Sequence, residues 1–92
     1  MEPWHALLVK NTPGPLPPEI PVFVAQGAKD QIVRPAVTQA YVASLCAAGS
    51  KVKMLTMPEI GHGRAAQAAT LPAVDWITAR FAATPPPDDC TR

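Results

Sequence analysis

Ile20-Pro-Val-Phe-Val-Ala-Gln-Gly-Ala-Lys-Asp30-Gln-Ile-Val-Arg34 is the stretch on which the reading of this chain turns. Pro21 to Ala25 is an apolar run too short for a helix, opened by proline and carrying two valines and a phenylalanine, so it reads as a buried strand. Gln26 and Gly27 end it. Reacting groups in open parallel sheets gather just beyond the carboxyl ends of strands, and Asp30 falls three residues past this one. The position suits a catalytic acid. It also suits an ordinary loop aspartate that closes a turn by accepting nearby N–H groups.

Downstream, Pro35 stands where a helix would begin, and Val37, Tyr41, Leu45 and Ala48 recur at helical spacing as one apolar stripe. Gly49 is the expected stop. Val52 to Met57 is a second strand, entered through Lys51 and ended by Pro58, with Met54 and Met57 as packing residues. Strand, helix and strand in this order form a βαβ unit with two parallel strands and a right-handed crossover helix. The fold class is therefore α/β. The end of the second strand lies on the same rim as Asp30, and Glu59-Ile60-Gly61-His62-Gly63 follows it directly. The flanking glycines are read as allowing a sharp turn that presents His62. Thr70 is the expected cap of a C-terminal helix with Pro72 in its first turn; Leu71, Val74, Ile77, Thr78 and Phe81 would form its inner face and Trp76 its outer one.

Before the first strand, Glu2 to Val9 reads as a short helix with Trp4, Leu7 and Leu8 on one face. Pro13, Pro15, Pro17 and Pro18 make residues 11–19 an extended connector. After residue 83, the run Thr84-Pro-Pro-Pro-Asp-Asp-Cys-Thr-Arg92 is expected to be a flexible tail unless Cys90 is bonded.

Ninety-two residues allow one small domain, and much of the 48% apolar content is alanine, which makes for a thin core. A formal net charge of +1, with Lys and Arg scattered, argues against nucleic acid as partner. No apolar stretch is long enough for a transmembrane segment, and the first residues lack a signal-peptide pattern. Cys46 and Cys90 have no metal or redox spacing and are either two unrelated thiols or one disulfide. Cys46 lies roughly 140° from the apolar stripe of its helix, which favours the disulfide or a contact with other structure. His5, Asp30, Glu59 and His62 show no metal-ligand spacing, and no metal or cofactor is expected. Lys51, Lys53 and Arg64 read as solvated, with Arg34 close enough in sequence to help hold Asp30 charged.

An acid after one parallel strand and a histidine after the next have the layout of two members of a nucleophile–histidine–acid relay. Pro21-Val-Phe-Val-Ala-Gln-Gly-Ala-Lys-Asp30, followed by helix, strand, Pro58-Glu-Ile-Gly-His62-Gly63 and a closing helix, resembles the last third of an α/β-hydrolase. It is most similar to the secretory lipases and related esterases, where a stretch like Asn11-Thr-Pro-Gly14 precedes the acid strand. The resemblance covers residues 2–83 and implies Asp30 as triad acid, His62 as triad base, an ester or acylglycerol substrate, and secretion of a full-length parent. It further implies that residues 1–83 are an incomplete C-terminal segment of a hydrolase domain. Such enzymes carry their serine in a Gly-x-Ser-x-Gly elbow ahead of the acid. Here the serines are Ser44 and Ser50, both behind Asp30 and without that context. Two readings follow: a serine-hydrolase fragment, inactive without an N-terminal half, or a free-standing binding or self-association module.

Overall fold

The computed structural model describes residues 2–14 and 16–91; Met1, Pro15 of the connector and Arg92 of the tail lie outside the described residues. A short helix α1 (Trp4–Lys10) leads through the connector to strand β1 (Val22–Gly27). Then come α2 (Pro35–Ala47), β2 (Val52–Met57), a single 3₁₀ turn (His62–Arg64) and α3 (Ala65–Phe81). The two strands are parallel and in step, Val22 opposite Val52 and Gly27 opposite Met57. This is the expected βαβ unit, its first strand set slightly further along the chain.

Side chains alternate between the faces of a strand. Phe23 meets Trp76 of α3, with ring centroids 5.8 Å apart, whereas Gln26, an odd number of residues on, bonds Thr38 of α2. The two helices therefore cover opposite faces of the pair. Among the described residues Leu45, Val52, Met57 and Ala69 are the buried apolar core. Gly49 ends α2 at φ +96, a left-handed conformation that suits glycine, and Ser50 N–H closes the turn on the Leu45 carbonyl at 3.0 Å.

Three expectations are corrected. Helix α3 begins at Ala65, five residues before Thr70, because the run Ala65-Ala-Gln-Ala-Ala69 has the strongest helix formers in the chain. Thr70 is inside the helix with its hydroxyl on the Ala66 carbonyl at 2.8 Å, and Pro72 also lies within it. The face of α3 is reversed as well. Ala69, Ala73, Trp76 and Arg80 lie on the side turned to the sheet, while Leu71 and Phe81 are 74% and 89% exposed. Trp76 also carries the Arg80 guanidinium 5.0 Å from its ring centroid. Finally, α1 buries none of its residues, so Trp4, Leu7 and Leu8 form no packed face.

The tail is held at Cys90. Cys46 and Cys90 form a disulfide with Cα atoms 5.6 Å apart. Beside it the Asp89 N–H donates to the Val52 carbonyl at 2.7 Å. The Val52 and Met54 N–H groups donate to the carboxylates of Asp88 and Asp89 at 3.3 and 2.7 Å. Asp89 also pairs with Lys53 at 3.6 Å, so Lys53 is not simply solvated. These bonds occupy the side of β2 turned away from β1. The disulfide spans 44 residues, and a loop of that length removes about 4 kcal/mol of unfolded-state entropy. Reduction, or Cys90→Ser, is expected to lower the unfolding free energy by up to about 4 kcal/mol. Urea titration with and without a thiol reductant measures it, and Cys90→Ser should show no further loss on reduction.

Candidate active site

The loops that follow the two strands are joined main chain to main chain. Ala28 N–H donates to the Met57 carbonyl at 2.9 Å, and Lys29 N–H to the Ile60 carbonyl at 3.0 Å. Gly27 makes that approach possible, since a Cβ there would sit 2.4 Å from the Ile60 oxygen. Gly61 and Gly63 matter less than expected. Gly61 is extended at φ −94, which any residue adopts, and a Cβ on Gly63 would meet nothing within 4 Å. Lys29 and Glu59 add an exposed ion pair across the same two loops at 2.6 Å, a kind that contributes little to stability.

This brings Asp30 and His62 together. His62 Nδ1 lies 3.0 Å from Asp30 Oδ2, with the imidazole half exposed and the Asp30 side chain 5% exposed. The other carboxylate oxygen, Oδ1, accepts the N–H groups of Ile32 at 2.9 Å and Val33 at 2.8 Å. Burial alone raises the pKa of Asp30. The bonds from Val33, His62 and Ile32, with the His62 charge, outweigh burial and leave it below the ordinary carboxylate value. Arg34 does not share this work: among the described residues the hydrogen-bond partners of the Asp30 carboxylate are the two loop N–H groups and His62.

With the carboxylate ionised, the imidazole donates through Nδ1–H, which leaves Nε2 as the basic nitrogen. The pair can then take a proton from a hydroxyl brought to Nε2 and stabilise the imidazolium that forms. A cleft of about 550 Å³ opens beside it, walled by Val24, Ala25, Val33, Val37 and Tyr41. Neither Ser44 nor Ser50 lines it. The Ser44 hydroxyl donates to the Tyr41 carbonyl on α2 at 2.6 Å. Ser50 is fully buried just before β2, separated from the His62 turn by the six-residue strand, roughly 20 Å. No three possible metal ligands converge among the described residues, and Glu59 is engaged by Lys29.

The family model for secretory lipases matches residues 6–89. The chain belongs to the secretory lipase family. That membership implies a lipase-like hydrolase origin and an α/β-hydrolase architecture, with which the mixed α/β unit of two parallel strands agrees. Comparison with curated proteins gives no match, and comparison with solved structures gives none. No helix among the described residues is long and apolar enough to cross a membrane.

The sequence marks Gln26 and Gly27 only as the end of a strand. A glycine where two parallel strands finish side by side was the available signal for the close approach. Gly27→Ala is expected to force the two loops apart at a cost of about 1–3 kcal/mol, the range for overpacking. Loss of the His62 Nδ1–H resonance by NMR, together with a lower thermal midpoint, checks it. The lowered pKa of Asp30 fixes a pH dependence. The folded protein holds its carboxylate more strongly than the unfolded chain, so this stabilisation is complete above the ordinary value of 3.8. It is lost as pH falls through the lower folded value. Asp30→Asn should therefore flatten the acid limb of a plot of unfolding free energy against pH, and chemical denaturation from pH 2 to pH 7 measures it.

Proposed function

We propose that residues 1–83 are the C-terminal segment of a serine carboxylester hydrolase of the secretory lipase type. In this reading Asp30 and His62 are the acid and base of its triad, and the serine is supplied by another part of the enzyme. The observation that carries it is the 3.0 Å contact between His62 Nδ1 and the buried, ionised Asp30. Family membership supports the same chemistry. The positions of Ser44 and Ser50 support a nucleophile from elsewhere, since neither lines the cleft beside His62. The chain is then inactive alone. The apolar wall of the cleft beside His62 suits the acyl chain of an ester or acylglycerol.

In the assembled site the serine hydroxyl gives its proton to His62 Nε2 as its oxygen attacks the ester carbonyl. Asp30 holds the imidazole in the Nδ1–H tautomer and stabilises its cationic form, and His62 then protonates the departing alcohol. Water repeats the sequence on the acyl-enzyme and releases the acid. The sheet supports the need for further structure: two parallel strands rarely stand as a pair, and Leu71, Val74 and Phe81 lie exposed on α3.

A free-standing self-association module is the second reading. The disulfide-held tail along β2 favours it, because that outer edge is already occupied within the chain.

The test is hydrolysis of p-nitrophenyl acetate and butyrate, with size-exclusion chromatography on the same sample. The chain alone is expected to match its His62→Ala variant. Mixing with a serine-bearing N-terminal portion of a secretory lipase should give turnover, lost with His62→Ala and reduced about 10⁴-fold by Asp30→Asn. Turnover by the chain alone would overturn the reading, and a well-folded inactive dimer that no N-terminal portion activates would establish the module instead.

A further inference from the structure

Gln26 is 4% exposed, and both ends of its amide are bonded. Its Nε2 donates to the Gly27 carbonyl and to the Val33 carbonyl, each at 2.9 Å, and its Oε1 accepts the Thr38 hydroxyl. These partners belong to three different pieces: the end of β1, the far side of the Asp30 loop and the first turn of α2. The reverse amide orientation would set an oxygen against two carbonyls, so the bonds fix one orientation. A buried amide is costly unless it is bonded in this way, and its partners lose as much if it is removed.

Val33 links this amide to the acid. Its N–H donates to Asp30 Oδ1 at 2.8 Å, and its carbonyl accepts from Gln26 at 2.9 Å. The residue that grips the carboxylate is itself gripped from behind. The second oxygen of the same carboxylate holds His62 Nδ1. A connected path of hydrogen bonds and one peptide residue thus runs from Thr38 through Gln26, Val33 and Asp30 to the imidazole.

We propose that Gln26 is a positioning residue for the Asp30–His62 pair, fixing the acid loop against α2 and through it the orientation of the imidazole. Its functional meaning rests on the triad reading above. Gln26 lines the cleft beside the pair but makes no bond to His62; it acts on the imidazole through Val33 and Asp30.

The test uses the whole chain, labelled for NMR, and two readouts that need no turnover: solvent exchange of the His62 Nδ1–H and the titration midpoint of the Asp30 carboxyl. Gln26→Met keeps the volume and deletes the bonds, and Thr38→Val deletes one bond. Val52→Ala, at the far end of the sheet, lowers stability without touching the path. Gln26→Met is expected to speed the exchange about tenfold, the factor corresponding to one net hydrogen bond. It should also move the Asp30 midpoint up toward the ordinary carboxylate value. Thr38→Val should act in the same direction by less, and Val52→Ala should leave both readouts unchanged.

Wild-type exchange and midpoint in folded Gln26→Met would overturn the proposal, as would equal changes in Val52→Ala. If Gln26→Met does not fold, Thr38→Val decides by the same two readouts. Failure of complemented ester hydrolysis would count against the triad reading alone, because neither readout depends on a serine.

Discussion

The close approach of β1's last residue to the turn after β2 is the constraint on which the rest of this structure depends. A parallel, in-step pair already brings Gly27 level with Met57. What the register alone does not do is lay one loop on the other. That requires the Ile60 carbonyl to occupy the space where a side chain on residue 27 would stand. Once it does, the Ala28 and Lys29 N–H groups find the carbonyls of Met57 and Ile60. Asp30 and His62 become neighbours as a result of main-chain bonding, before any attraction between their own charges is considered.

The two ways of reading Asp30 from sequence turn out to describe its two oxygens. Oδ1 behaves as a loop aspartate does, accepting from Ile32 and Val33, and Oδ2 meets the imidazole. The roles reinforce each other. The turn-closing bonds keep a buried carboxylate ionised against the cost of its burial, and an ionised carboxylate is what the imidazole needs as a partner. A carboxylate held by the imidazole alone would have more freedom to rotate and less reason to stay charged.

Much of this was legible in the amino-acid order because the relevant signals are local. An apolar run opened by proline and closed by glycine, a four-four-three apolar stripe and a second short run bounded by Lys51 and Pro58 suffice for strand, helix and strand. Topology then carries Asp30 and His62 to one rim. Helix α3 was not legible in the same way. It is apolar on both sides, so periodicity chose the richer face, Leu71, Val74, Ile77 and Phe81, whereas the sheet took the face that could bring Trp76 onto Phe23. Its start was also obscured, because Thr70 and Pro72 look like a helix beginning and the alanine run ahead of them has no cap to announce it. Gln26 was hidden for a different reason: its partners Val33 and Thr38 lie seven and twelve residues away, and nothing in the spacing joins them.

The tail gives the sheet a handedness of growth. Asp88 and Asp89 stand along β2 where another strand would lie, and the bond between Cys46 and Cys90 keeps them there. A two-stranded sheet with free margins would accept a newcomer on either side and in either order. Here one margin is closed from within the chain, while among the described residues β1 has a partner strand on one side only. The open margin is thereby that of the strand that delivers the carboxylate, and the closed one is held twice over, by a covalent bond between residues 44 apart and by the bonds of Asp88 and Asp89 along β2.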